Sequence, residues 1–111
     1  MGTITYDVFS QLDIRIGTII SAERVPETDK LVKLSVNVGE ENPRTLVAGI
    51  AVFIPDVSSL IGKQIPLLAN LESRLLKGVE SQGMILAASD DEGGFSLLSP
   101  NMPVKNGARV K

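Results

Sequence analysis

This chain of 111 residues predicts an all-β domain: a five-stranded, partly open Greek-key barrel with one short helix between its third and fourth strands. Three observations carry the prediction. Val32, Leu34, Val36 and Val38 alternate cleanly with Lys33, Ser35 and Asn37. Four further β-like runs are set apart by turns rich in Gly, Pro, Asn and Asp. A short helical pattern falls between the third and fourth of these runs.

The elements follow in order. Over Tyr6–Leu12, Phe9 and Leu12 stand at helical spacing beside Val8, and Thr5 or Asp7 can cap a short helix there. From Asp13 the pattern turns to β, with Ile14, Ile16, Thr18 and Ile20 on one face and Arg15, Gly17, Ile19 and Ser21 on the other. Gly17 in mid-strand predicts a bend where the sheet curls. Turn chemistry over Val25–Asp29 leads into the second strand, an acidic turn over Gly39–Pro43 leads into the third, and the third spans Arg44–Ile50. Pro55–Gly62 predicts a short helix with Val57, Leu60 and Ile61 on one face and Gly62 ending it. Gln64–Leu71 is the fourth strand, in which Pro66 implies an unpaired backbone edge. Gly83–Ser89 is the fifth, expected to be buried on both faces because Met84–Ala88 offers no polar alternation. Five strands with this helix placement is OB-fold topology.

Composition narrows the chemistry. Apolar residues make up 43% of the chain but aromatics only 4%, so the core is built from Ile, Leu and Val, with Phe9, Phe53 and Phe95 as larger wedges. The chain has no Cys and no His, which removes thiolate chemistry, catalytic triads and zinc sites. The remaining carboxylates, lysines and Tyr6 form no poised cluster, so no catalytic residue, metal or cofactor is expected, and the chain does not read as an enzyme. MGTITYDVF lacks a basic segment followed by an apolar core, and no apolar run is long enough to span a bilayer, so a cytoplasmic protein without membrane contact is expected. Net charge is −2, so any nucleic-acid contact must use a local patch. Mean hydropathy is +0.19, which hints that a partner covers some apolar surface.

The patch to examine lies in Leu71–Met84, LESRLLKGVESQGM. Arg74 and Lys77 stand on the connection between strands four and five with no acid between them, suited to phosphate as a bidentate fork and a point charge. Gly78 and Gly83 permit close backbone approach. Asn70, the Ser81 hydroxyl and the Gln82 amide offer hydrogen bonds to sugar or base edges, and Met84 completes the set. Glu72 and Glu80 flank the patch. The plainer reading is a solvated loop followed by a core strand with Met84 as filler. Lys30 sits beside Asp29 after the first turn, where an OB-fold places a ligand-contacting loop; the plainer reading is an Asx-turn with a solvated lysine. Arg15 reads best as paired weakly with a surface acid.

Three stretches, Leu12-Asp13-Ile14-Arg15-Ile16-Gly17, Thr28-Asp29-Lys30-Leu31 and Leu71–Met84, resemble the tRNA-binding domain family. That family includes the C-terminal dimerisation domain of methionyl-tRNA synthetase, free-standing structure-specific tRNA-binding proteins, the EMAP-like cytokine domain and the CsaA secretion chaperones. Pro26, Asp29, Lys30 and Leu31 match one family motif, with Val25 where the family carries His. Asn70, Leu71, Lys77, Gly78, Val79 and Ser81-Gln82-Gly83-Met84 match another, with Leu75 where a lysine is usual. The resemblance runs from about Phe9 to Lys111.

It implies a single tRNA-binding domain over 1–111, with the barrel over about 12–90 and a C-terminal dimerisation segment over about 95–111. With Lys30, Asn70, Arg74, Lys77, Ser81, Gln82 and Met84 as its tRNA-binding residues, it would be a homodimeric accessory of methionyl-tRNA synthetase. Its partners would be tRNA, a second copy of itself and a synthetase catalytic subunit. So few aromatics leave no stacking platform, so recognition would follow phosphate spacing and RNA shape. The Tyr6–Leu12 helix and Phe95–Val110 would build the two-fold interface, and Met1-Gly2 close to the first helix fits a free-standing chain. The alternative is a CsaA-like export chaperone holding unfolded polypeptides.

Overall fold

The computed structural model describes Met1–Lys111. A one-turn helix α1 (Tyr6–Phe9) precedes β1 (Ile14–Arg24), β2 (Val32–Asn37) and β3 (Arg44–Ala48). Two 3₁₀ turns (Ala51–Phe53 and Val57–Leu60) lead to β4 (Gln64–Leu68). Then come β5 (Arg74–Leu76), β6 (Val79–Ser81), β7 (Met84–Ile85), β8 (Ala87–Ser89) and β9 (Phe95–Leu97). One antiparallel sheet runs β3-β2-β1-β4-β7, while β5–β6 and β8–β9 form separate ribbons. The sheet curls until β3 meets β6 and β7, giving the nearly closed five-stranded barrel that the sequence predicts.

The curl is built into β1. Its first half pairs with β4 (Ile14 opposite Leu68 to Thr18 opposite Gln64), and from Thr18 onward it pairs with β2, with a register shift between Ile19 and Ser21. Gly17 sits at the handover, where a Cβ would lie 2.6 Å from Val36 Cγ1 and 2.8 Å from Val38 Cγ1. Only a residue without a side chain lets the sheet fold over itself there. Alternation holds up to the shift, with Gly17 and Ile19 facing the core, and beyond it Ala22 rather than Ser21 turns inward. Ile19 enters the core with Val32, Leu34, Leu46, Ile65 and Leu67, whereas Ile20 is 48% exposed.

Ile16 is buried on the opposite face, under the C-terminal segment. That segment runs along β1 as an added strand: Ile16 N–H donates to Ala108 O at 2.9 Å, Gly107 N–H to Ile16 O at 2.7 Å, and Val110 N–H to Ile14 O at 2.8 Å. Thr18 Oγ1 meets Asn106 Oδ1 at 2.6 Å, and the Gln64 amide exchanges two bonds with the Val104 backbone. Because both backbone groups of Ile16 bond to this segment, its partner Pro66 has no bond to supply on that side. On the other side Pro66 O accepts from Leu86 N–H at 3.1 Å, and pairing with β7 stops there.

Several expectations change. Gly83–Ser89 is not one strand buried on both faces. It divides after Ile85, since Pro66 has no N–H to extend the ladder, and Ala87–Ser89 turns away to pair with Phe95–Leu97, leaving Met84 and Ala87–Ser89 exposed. The third and fourth strands end earlier than predicted, at Ala48 and Leu68. The Pro55–Gly62 helix is a 3₁₀ turn capped by Asp56, with Leu60 buried but Ile61 facing solvent. The phenylalanines are not central wedges. Phe53 stacks on Phe95 at 4.2 Å on the rim of an aliphatic core.

Candidate functional site

The connection from β4 to β7 is a hairpin, not an open loop. Arg74 pairs with Ser81, Leu75 with Glu80 and Leu76 with Val79, leaving Lys77-Gly78 as a two-residue turn at φ 51° and 80°. Positive φ at both positions is the type I′ turn, whose twist suits a hairpin. Gly78 adopts it freely, whereas Lys77 bears roughly 1–2 kcal/mol of strain.

Across from this turn lies the β1–β2 loop. Val25 N–H donates to Leu31 O at 3.0 Å, and Thr28 Oγ1 to Val25 O at 2.8 Å, so the loop closes over a buried Val25. Ala51 N–H donates to Lys30 O at 2.9 Å and ties the loop to the barrel. Loop and hairpin together enclose a groove of ≈ 600 Å³ whose lining includes Glu27, Asp29, Lys30, Leu75, Leu76 and Lys77. Lys30 and Lys77, distant in sequence, therefore share one groove, and Arg74 stands at the base of the same hairpin. The ion pairs of the chain are Arg15–Asp13, Lys33–Glu23, Arg44–Glu40 and Arg109–Asp13, so Lys30, Arg74 and Lys77 are all unpaired.

Other residues singled out from the sequence have bonds within the barrel. Ser81, 4% exposed, accepts from Val47 N–H at 2.9 Å and donates to Gly83 O at 3.0 Å. Gln82 accepts from Thr45 N–H through its side chain at 2.9 Å and donates its own N–H to Thr45 O at 2.8 Å. These two side chains stitch β3 to the end of β6 and so close the barrel where a regular ladder is missing. Asn70 accepts from Asp13 N–H at 2.9 Å and donates to Gln11 O at 2.7 Å, clamping the segment after α1 to the end of β4. Met84 lies opposite Leu68 and is 45% exposed.

Arg44 was not singled out from the sequence. It forms a bidentate pair with Glu40 at 2.8 and 2.9 Å and donates to the carbonyls of Ala69 and Gln82 at 2.6 and 3.1 Å. The Arg44 hydrogen bonds hold the Glu40 carboxyl below its usual pKa, and Glu40 in turn raises that of Arg44. The i,i+4 spacing of an acid and a base across the 39–43 turn was the available signal. Arg15 pairs with Asp13 at 2.9 Å, the surface pairing expected for it. Arg109 reaches the same carboxylate at 3.6 Å, and the hydrogen bond from Arg15, aided by the charges of both arginines, lowers the pKa of Asp13. No group of three or more Asp or Glu side chains is placed to hold a metal ion, and no helix is long and apolar enough to cross a membrane.

Against known proteins, the family described as "Putative tRNA binding domain" matches residues 14–109. The methionine–tRNA ligase of Deinococcus radiodurans is 41% identical over 110 residues, 99% of this chain. This chain spans only 16% of that enzyme's length. The crystal structure of a MetRS-related protein from Pyrococcus horikoshii superposes with a TM-score of 0.93 at 37% identity, covering 100% of both chains. The chaperone CsaA of Bacillus anthracis superposes with a TM-score of 0.87 at 29% identity, covering 99% of this chain and 100% of that one.

Proposed function

This chain belongs to the tRNA-binding domain family, and on that premise we propose that it is a non-catalytic module that holds tRNA by shape and phosphate spacing as a homodimeric accessory of methionyl-tRNA synthetase. The observation that supports this best is the meeting of Lys30 and Lys77 in one groove, with Arg74 on the same hairpin and no acid paired to any of the three. Cations held in no ion pair stay available to phosphates, although Glu27 and Asp29 in the same groove offset part of their charge. Lys30, Arg74 and Lys77 touch the RNA, with Met84 at the edge of the footprint. Asn70, Ser81 and Gln82 serve binding by holding the barrel wall from which the hairpin springs.

A second copy covers the apolar surface that this fold leaves bare. Helix α1 buries none of its residues, its Tyr6 and Val8 and the preceding Ile4 are exposed, and the C-terminal segment presents Leu98, Val104 and Val110. A groove of ≈ 320 Å³ among Ile16, Pro66, Leu98, Val104 and Val110 adds to that surface. Joining two RNA patches raises affinity through effective concentration if both reach one tRNA. Sedimentation equilibrium at micromolar protein is expected to return twice the 11.8 kDa chain mass; a pure monomer removes the homodimer.

The likeness to CsaA, together with this exposed apolar surface, favours polypeptide binding as the second reading. A titration with bulk tRNA across a salt series, set beside one with an unfolded polypeptide, separates them. Three to five phosphate contacts give a log–log salt slope of about −2 to −4. Polypeptide binding that ignores salt, without a tRNA signal, would establish the chaperone reading instead.

A further inference from the structure

We propose that Asn106-Gly107 is a site of covalent self-modification, at which loss of ammonia from Asn106 yields an isoaspartyl linkage that releases the C-terminal segment from β1. The chemistry is independent of what the chain binds. This is the chain's one Asn-Gly pair. Glycine lets the backbone fold back until its nitrogen reaches the preceding side chain, since no Cβ stands in the way. The Gly107 nitrogen gives up its proton and attacks Asn106 Cγ; the Cγ–N bond of the side-chain amide breaks, and that nitrogen leaves as ammonia with the proton. Water then opens the cyclic imide at either carbonyl. Opening at one leaves an ordinary backbone with aspartate at 106. Opening at the other routes the backbone through Cβ and Cγ as isoaspartate.

The docked segment withholds both reacting groups. Gly107 N–H donates to Ile16 O at 2.7 Å, and Asn106 Oδ1 accepts from Thr18 Oγ1 at 2.6 Å. The segment must lift before the nitrogen can turn on Cγ, so the rate follows the population of the locally opened chain. Residues 98–103, which lead into it, make no hydrogen bond to the barrel and so offer a hinge.

The two products then part. Aspartate keeps the backbone length and an acceptor for Thr18, so the segment docks again. Isoaspartate adds one backbone atom between Val104, which is bonded to Gln64, and residues 107–110, which are bonded to Ile16 and Ile14. It also turns the main-chain carbonyl of residue 106 into a carboxylate. Neither change has room, since a Cβ on Gly39 would already lie 2.5 Å from Asn106 O, and one on Gly107 2.7 Å from Val38 O. The segment stays off, Ile16 is uncovered, and the ≈ 320 Å³ groove loses the wall that holds Val104 and Val110. Ile16 N–H bonds to Ala108 O and to nothing in β4, so its hydrogen exchange reports docking of the segment.

The test ages folded wild type, Thr18→Val and Asn106→Asp at mildly alkaline pH beside wild type unfolded in urea. Mass spectrometry of the tryptic peptide over 106–109, with the two isomers separated, gives the rates. The unfolded chain should convert at least about tenfold faster than the folded one. Thr18→Val, which removes one hydrogen bond to Asn106, should convert about fivefold faster than folded wild type. If Thr18→Val melts well below the wild type, Gln64→Ala, which frees Val104, takes its place with the same expectation. Ile16 should lose its exchange protection in the isoaspartyl form and keep it in the aspartyl form and in Asn106→Asp, while Ile19, bonded to Lys63 O, stays protected in all. Equal rates in the folded and unfolded chains, or in the variant and wild type, overturn control by the docked segment. Absence of isoaspartate in the folded chain once the unfolded chain has fully converted removes the site. Ile16 protection that persists in the isoaspartyl form overturns the release.

Discussion

Gly83→Ala is expected to lower the melting temperature by roughly 10–20 °C, taking about 3–5 kcal/mol of lost stability at about 4 °C per kcal/mol for a domain of this size. Gly83 joins β6 to β7 at φ 141°, and an added Cβ would meet Leu68 O at 2.8 Å and Leu46 Cδ2 at 3.3 Å. The first of these is backbone in the middle of the sheet, with Leu68 paired to both Ile14 and Met84, so it cannot step aside without breaking a ladder. The same short stretch carries the barrel seam, in which Ser81 and Gln82 bond to β3. Moving Gly83 would pull both away and strip the buried Val47 N–H of its partner, a loss of about 1–3 kcal/mol by itself. Gly93→Ala is the matched control. Gly93 also has positive φ, 87°, but nothing lies within 4 Å of its Cβ position, so only the conformational cost of about 1–2 kcal/mol applies. Circular dichroism melts of the two variants decide the matter. Melting points within a few degrees of each other would show that the contact with Leu68 yields and that the seam tolerates movement.

The contrast between Gly83 and the rest of its segment shows where the sequence is legible. Strand β2 can be read from alternation alone because Val32, Leu34 and Val36 all point into one core while their neighbours stay out. The order of five strands and the interposed 3₁₀ turn follow from similar local patterns. Local pattern fails at Ser21 and Ala22, because a register shift after Ile19 interrupts the period-two rule, turning Ala22 rather than Ser21 toward the core, and nothing in the residue types marks where it falls. It fails again at Met84–Ser89, where apolar residues lie at the surface once Pro66 cuts the ladder short. At the site, unpaired cations on a Gly-bearing connection were enough to single out Arg74 and Lys77. The hairpin register that places them, and the groove that adds Lys30, depend on contacts across tens of residues. Arg44 is legible only in part: its i,i+4 spacing from Glu40 is local, but two of its acceptors are the distant carbonyls of Ala69 and Gln82. Asn70, Ser81 and Gln82 are as prominent in sequence as the cations, yet their side-chain bonds are internal.

Arg74→Ala combined with Lys77→Ala is expected to weaken tRNA binding by about 10- to 100-fold, roughly 0.7–1.4 kcal/mol for each lost phosphate contact. Both side chains are exposed or at the turn of a ribbon, and neither has an ion pair or hydrogen bond in the fold, so stability should change little. The salt series gives the sharper reading: the log–log slope should become shallower by about 1.4–1.8, because two fewer counterions are released. A loss of affinity with an unchanged slope would mean that the hairpin had moved and not that charge had been removed. Lys77→Asn checks this from the other side. Asparagine accepts the left-handed conformation at φ 51° more readily than lysine does and is favoured in type I′ turns, so this variant should keep or firm the hairpin while deleting one charge. It should therefore melt no lower than the wild type, bind tRNA several-fold more weakly, and reduce the slope by a little under one. Wild-type affinity in Lys77→Asn would take Lys77 out of the contact set, and wild-type affinity in the double variant would remove the hairpin from the RNA interface altogether.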